Sequence, residues 1–268
     1  MLTAYVPPPP LSDFVELFWL AQGYAQPHAR ERLLPQGTVE LIINLGGATS
    51  QIYRGADGRP ESFRGPLVSG PHSGFFAIDT AQALSVLGVH FRPGGAFPFF
   101  RPPAGELHDA HVALDALWGP AAGELHERVL AAPTPRAKFR VLEQALLAQA
   151  ARPLRRRPAV AFAVRELQRG RSVGQVCEQV GLSARHFIAA FRDEVGLTPK
   201  LFSRVQRFQQ VVRRLGAGAR VEWAAVALGC GYYDQAHFIH DFRAFCGLSP
   251  TAYLARRPEH LNHVPLPD

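Results

Sequence analysis

The chain has 268 residues, 47% of them hydrophobic, enough for two modest domains that each bury a core, and no apolar run approaches the ~18 residues of a membrane-spanning helix. Its net charge of +7 is uneven: residues 152–257 hold 18 Lys+Arg against 7 Asp+Glu, while the rest is mildly acidic, which points to a polyanion partner for one part of the chain only. The start MLTAYVPPPPLSDF lacks the basic-then-apolar order of a secretory signal, and Cys177, Cys230 and Cys246 form neither a CxxC pair nor an even set, which suits a reducing cytoplasm.

Prolines 7–10 resist both helix and sheet and are expected to lie extended on the surface. LSDFVELFWLAQGY then fits a short helix at Leu11, Phe14 and Val15 followed by a strand into Tyr24. In LLPQGTVELIINLGG, Val39, Leu41, Ile43 and Leu45 alternate with Glu40, Ile42 and Asn44, the period of a half-buried strand between turns at Gly37 and Gly46-Gly47. Further short strands are expected at 51–53, 63–69, 75–79 and 83–92, so residues 1–151 read as a small β-barrel or sandwich. Helices follow at 112–118, 121–130 and 135–149, the last with a stripe of Phe139, Leu142, Leu146 and Leu147. RPLRRRP at 152–158 is a linker: two prolines block a helix and the arginines keep it solvated. Beyond it the fold class is all-α, with seven helices at 159–169, 173–180, 184–195, 199–215, 222–228, 235–245 and 250–256. The whole is α+β, with the helical domain at 159–257 and a tail at 258–268.

The helical part repeats itself. When His186-Phe187 is aligned on His237-Phe238, Phe191 meets Phe242, Arg192 meets Arg243, Gly196-Leu197-Thr198-Pro199 meets Gly247-Leu248-Ser249-Pro250, and Phe202 meets Tyr253. Gly181 meets Gly231 if the second copy has one extra residue in its turn. Each copy reads as a helix–turn–helix. In the first, Val173, Val176 and Val180 stripe a short helix and Gly181 makes a left-handed turn. Leu182 plugs the gap, Ser183 caps, and Phe187, Phe191 and Val195 face inward. In the second, Val226 and Leu228 stripe the first helix, Gly231 turns, Tyr232 plugs, Asp234 caps, and Phe238, Phe242 and Phe245 face inward. The residues left outward are those a recognition helix presents to a major groove. A helix at 198–215, with Leu201, Val205, Phe208 and Val212 buried, would hold the two units at a fixed separation.

This duplicated unit, with its glycines and a GLxP after each copy, resembles the AraC-type transcription regulators over about residues 159–257. CGYYDQAHFIHDFRAFCGLSPTAY is similar to their second-unit signature, and LLPQGTVELIINLG with GVHFRPGG more loosely resembles a sensor domain of some members. The resemblance implies sequence-specific binding to double-stranded DNA, control of transcription and contact with RNA polymerase. It places base contacts at Arg185, Ile188 and Ala189 in the first unit and at Gln235, Ala236, Ile239 and His240 in the second. Arg185 suits guanine and Gln235 adenine, whereas Ala189 and His240 depart from the longer, often basic residues of many relatives. Packing against a neighbouring helix is the alternative for Ile188 and Ile239. Arg192, Lys200, Arg204, Arg207 and Arg243 are candidates for phosphate contact, each against the alternative of a solvated surface charge.

For the first domain, Trp19, Glu40, Asn44, His90 and Arg92 lie on expected strands and would line an effector pocket if they point inward; a core polar network or a homodimer interface is the alternative. No GxSxG or GxxxxGK[ST] occurs, His108/His111 and His237/His240 lack a completing ligand set, and no cofactor or metal is called for. The three cysteines read as buried small hydrophobes before redox sensors. The expectation is a cytoplasmic regulator, not an enzyme, responding to a small-molecule effector. A DNA-binding adaptor whose first domain contacts only protein, and a β-barrel enzyme, are the alternatives.

Overall fold

The structure, a computed structural model, describes residues 1–46, 49–55, 58–216, 222–256 and 260–266. Gly47, part of an expected turn, and Arg257, the expected end of the helical domain, lie outside them. Among the described residues ten strands come first: β1 (Leu2–Tyr5), β2 (Val15–Gln22), β3 (Arg30–Leu33), β4 (Glu40–Asn44), β5 (Ser50–Arg54), β6 (Pro60–Phe63), β7 (Leu67–Ser69), β8 (Phe76–Asp79), β9 (Ser85–Phe91) and β10 (His111–Ala113). Helices α1 (Leu114–Trp118), α2 (Ala121–Ala131) and α3 (Pro135–Ala148) close this half. Seven more follow: α4 (Pro158–Gln168), α5 (Val173–Gln179), α6 (Ala184–Val195), α7 (Pro199–Gly216), α8 (Trp223–Gly229), α9 (Gln235–Cys246) and α10 (Pro250–Arg256). A last strand, β11 (His263–Pro265), returns to the first half.

The strands form two antiparallel sheets, ordered β1-β2-β9-β4-β7-β10 and β11-β3-β8-β5-β6. They face each other as a sandwich; the barrel alternative is not realised, because among the described residues no pairing joins one sheet to the other. Period-2 alternation gives the six-stranded sheet two different faces. Phe18, Leu20, Leu41, Ile43, Leu87, Val89 and Phe91 are buried against Leu114, Trp118, Leu125, Phe139, Leu142 and Leu146 of the helices. Trp19, Glu40, Ile42, Asn44, Val86 and His90 lie on the opposite face, toward the second sheet. The Trp19 indole packs on Gly88, where an added Cβ would come within 2.3 Å of the ring. Only glycine allows that approach.

Several elements differ from expectation for identifiable reasons. β3 reads RERL, too charged to signal a strand, yet Glu31 is buried beside Tyr24 Oη (2.9 Å) and His263 Nδ1 (2.8 Å). Residues 111–113 add an edge strand to β7 before the helix at 114 begins. Residues 80–84 form a 3-10 turn in place of the start of β9. Leu147 points outward, outside the α3 stripe. The linker arginines are not simply solvated: Arg152 donates to the carbonyls of Phe97 (2.8 Å), Phe100 and Arg101 and stacks on Phe97, and Arg156 donates to Pro93 O.

In the helical half, α7 is the axis. Phe202 packs edge-on to Phe191 of α6, and Phe208 packs on Phe242 and Phe245 of α9. Gln206 and Gln209 are also buried on α7, and they bind the other half: Gln206 Nε2 donates to Gln36 O (3.1 Å), and Gln209 Nε2 to Pro35 O (2.9 Å) and Asn262 Oδ1 (2.9 Å). The loop 70–75 between β7 and β8 meets the C-terminal ends of both α6 and α9. Gly196, at φ +88, sits where a Cβ would lie 2.3 Å from Pro71 Cγ; Gly247, at φ +70, sits where one would lie 2.4 Å from the Phe75 ring.

The same loop packs a buried histidine, His72, against His111 at the start of β10. His72 and His111 stack at 4.6 Å, and Ser69 Oγ lies 3.1 Å and 3.2 Å from their Nε2 atoms. Burial keeps both rings neutral. It pushes His72 down to about 4, against the pull of Asp109, and His111 to about 2, where the charge of His72 adds to the effect. Both folded values lie below the ordinary 6.5, so the unfolded chain binds more protons between about pH 6.5 and 4, and stability falls as pH drops through that window. At about 1.4 kcal/mol per pKa unit, His72 alone removes roughly 3 kcal/mol. Denaturant melts at pH 7 and pH 4.5 should show that loss, and His72→Gln/His111→Gln should flatten it.

Candidate functional site

Both helix–turn–helix units are built from the same local physics. In the first, α5 starts on a capping box of Ser172 and Gln175, the turn passes through Gly181 at φ +66, and Ser183 Oγ accepts from His186 N to start α6. In the second, α8 ends at a turn through Gly231 at φ +78, and Asp234 accepts from His237 N at 2.7 Å to start α9. Phe187, Phe191 and Val195, like Phe238, Phe242 and Phe245, are buried in one continuous core with α7. Two expected core residues are not: Leu182 is 41% exposed and Leu228 65% exposed. Ala227 takes the buried place on α8, and Tyr232 fills the second turn.

The outward faces carry the expected readers. Arg185, Ile188 and Ala189 are exposed on α6, and Gln235, Ala236 and His240 on α9; Ile239 is half-buried against the core. These positions lie in the N-terminal halves of α6 and α9, whereas the C-terminal ends are the parts docked on loop 70–75.

Of the five phosphate candidates, the structure commits two elsewhere. Arg204 forms an ion pair with the buried Asp241 (2.7 Å) and lies over the Phe245 ring; the hydrogen bonds it donates to Asp241 hold its guanidinium charged. Arg207 donates to Gly231 O (3.0 Å) and lies over Tyr232, bracing the second turn. Both guanidiniums therefore have partners within the fold. Lys200 and Arg243 are exposed, and Arg192 is exposed with its aliphatic stem on Gly105.

Residues 176–256 match the model of a helix-turn-helix domain family, and residues 3–113 match a domain family of unknown function, DUF6597. The helical half is an AraC-type domain. The probable transcriptional regulator LumQ from Photobacterium leiognathi is 31% identical over 87 residues, which is 32% of this chain and 35% of that one, so the match spans about a third of the relative. Among solved structures, ToxT from Vibrio cholerae is 8% identical over 89% of this chain and 98% of its own, with a TM-score of 0.48. The DNA-binding domain of AdpA, solved with a target DNA, is 30% identical over 38% of this chain and 95% of its own, with a TM-score of 0.33.

Outside the AraC-type domain, a cavity of about 730 Å³ opens between the two sheets. Trp19, Glu40, Asn44 and His90 line it; Arg92 does not, because its Nε donates to Ser12 O at 2.9 Å. Apolar walls come from Leu17, Ile42, Ile52, Phe76 and Ile78. His90 Nδ1 meets Glu40 Oε1 at 2.7 Å, and its Nε2 lies 3.7 Å from Glu16 Oε2. Burial opposes charging of His90, but the Glu40 contact and the Glu16 charge together lift it above the ordinary histidine value. Sequence reasoning missed Glu16: the bulge between Val15 and Leu17 turns it toward the cavity, and no pattern in the chain announces a bulge. It also missed Gln206 and Gln209, which did leave a signal as two amides on the buried stripe of α7.

Ser69, His72 and Asp109 follow one another as in a hydrolase, but the histidine–aspartate separation is 3.7 Å and Ser69 is buried between two imidazoles, which leaves no approach for a substrate. Among the described residues no group of three or more His, Cys, Asp or Glu is placed to hold a metal. Burial pushes the Cys246 thiol up to about 11 and raises Cys230 as well, so neither offers a thiolate at neutral pH.

Removing Arg204 strands the Asp241 carboxylate. Arg204→Ala should cost about 2 kcal/mol in a denaturant melt, less than the ~3–5 kcal/mol of a fully buried pair because Arg204 is a third exposed, and should leave the salt dependence of DNA binding unchanged. Lys200→Ala or Arg243→Ala should do the reverse: little change in the melt, and a log–log salt slope smaller by about one.

Proposed function

We propose that the chain binds specific double-stranded DNA through both helix–turn–helix units and regulates transcription in response to a small molecule held between the two sheets. The observation that carries this is the pair of matching units on one rigid helix, each with its recognition helix docked at the C-terminal end and open at the N-terminal end. Arg185, Ile188 and Ala189 would read one major-groove segment, and Gln235, Ala236, Ile239 and His240 another. Arg192, Lys200 and Arg243 would hold phosphates. The two faces differ: the first offers one long polar reader, Arg185, and apolar contacts suited to thymine methyls, while the second offers Gln235 and His240.

The cavity favours an effector over a purely protein-contacting first domain, because an adaptor needs a surface and not a lined interior. Its walls include Leu34, Gln36 and Asn262, and Gln36 and Asn262 accept hydrogen bonds from α7. A ligand that shifts these residues changes the seat of the spacer helix. Contact with RNA polymerase and pairing with a second copy are proposed on the family resemblance alone. A cytoplasmic location is proposed together with the DNA target; among the described residues no helix is long and apolar enough to cross a membrane.

Selection of binding sites from random duplexes tests the assignment. Arg185→Ala and Gln235→Ala should each relax preference at one base position by about 1–3 kcal/mol and leave the other positions intact. Unchanged selected sites for both variants would overturn it.

A further inference from the structure

We infer that the cavity between the sheets takes a small apolar molecule bearing a protonated amine, its ammonium seated between Glu16 and Glu40 and its apolar body against Trp19. This rests on the reading of the cavity as the effector site and adds the chemistry of the ligand.

The polar groups of the lining differ in the capacity they have left. At one end of the cavity, Asn44 and Gln82 are engaged. Asn44 Nδ2 donates to Gln82 O (3.0 Å) and its Oδ1 accepts from Gly46 N (2.8 Å), while Gln82 exchanges hydrogen bonds with the Gln51 backbone. His263 is held by Glu31. At the other end, two carboxylates share one imidazole. Glu40 binds His90 at 2.7 Å, and Glu16 reaches the same ring only at 3.7 Å. Even with His90 protonated, the group is short of one positive charge.

No Lys or Arg lines the cavity, and the other cationic groups of the described lining lie away from this pair: the Met1 ammonium donates to Gln22 O, at the opposite end of β2 from Glu16, and His260 packs on Tyr24 and His263. A carboxylate ligand would meet two like charges with no fixed cation to hold it. An ammonium completes the set through charge-assisted hydrogen bonds. Trp19, on the same strand as Glu16 and packed on Gly88, gives the lining an aromatic wall for the apolar part, and an indole also attracts a nearby cation. The volume of about 730 Å³ lies within the ~300–1,000 Å³ usual for small-molecule sites.

The test is the melting temperature of the full chain with three probes of similar shape: tryptamine, tryptophol and indole-3-propionate. Tryptamine should raise the midpoint with a dose dependence set by its affinity, and the alcohol and the acid should bind at least about tenfold more weakly. Glu16→Gln, on a half-exposed residue, should keep the unliganded midpoint and weaken tryptamine about tenfold while leaving tryptophol unchanged. Glu40→Gln should act in the same direction. Equal or stronger stabilisation by the acid or the alcohol, or a tryptamine shift that survives Glu16→Gln, would overturn the amine assignment and leave the cavity as a binding site. No shift with any probe would overturn the inference. If Ile52→Trp, which fills the cavity, also left DNA affinity untouched in that case, the effector reading would fall with it.

Discussion

Two glycines set the geometry of this molecule. Gly196 and Gly247 end the two recognition helices in the left-handed conformation, and each presses against the same loop of the sandwich, Gly196 on Pro71 and Gly247 on Phe75. A left-handed residue without a Cβ is a common way to end a helix. Here the missing Cβ also admits a neighbouring domain. One short loop therefore holds the C-terminal ends of α6 and α9, and their N-terminal halves, with Arg185 and Gln235, are left facing outward.

In the proposed mode of DNA binding, that arrangement makes the sandwich part of the reader. The docking loop runs directly from β7 to β8, whose Leu67 and Phe76 line the cavity. A second contact runs through α7: Gln206 and Gln209 take the carbonyls of Gln36 and Pro35, and Gln209 also reaches Asn262 on the returning tail. β11 then pairs with β3 and puts His263 on the buried Glu31 carboxyl. Burial alone would raise that carboxyl; the His263 contact, with Tyr24 and His28, brings it below its ordinary value instead. So the cavity, the docking loop, the spacer helix and the tail share walls. Packed contacts of this kind have discrete arrangements rather than continuous ones, which is what a ligand-biased equilibrium requires.

The helical half was largely legible in the chain, because its signals are local. Caps at Ser183 and Asp234, left-handed glycines, and phenylalanines spaced by four act within a turn or two of helix. The alternation in β4 and β9 was legible for the same reason. What escaped depends on distant partners. β3 hides a buried glutamate held by Tyr24, His28 and the tail's His263, β10 and β11 are strands only because an edge is waiting, and Arg204 and Arg207 read as surface charges until Asp241 and Gly231 are brought beside them. Leu182 and Leu228 show the converse: an apolar residue at a plausible position need not be buried. Four of the five residues expected to line a pocket do so, since inward-facing positions on a strand follow from its period. Arg92, one residue beyond the end of β9, turns away to Ser12.

The central claim is that DNA binding and the sandwich are linked through α7 and its seat. Hydrogen exchange on the full chain, with and without a duplex selected for binding, tests it most directly. The amides of Leu34 and Leu266 report the seam, because they donate to Asn262 O and Arg30 O. By reciprocity of linkage, DNA should slow their exchange in the wild-type chain and not in Gln206→Ala/Gln209→Ala. Protection confined to α5–α10, with Leu34 and Leu266 unchanged, would contradict the account.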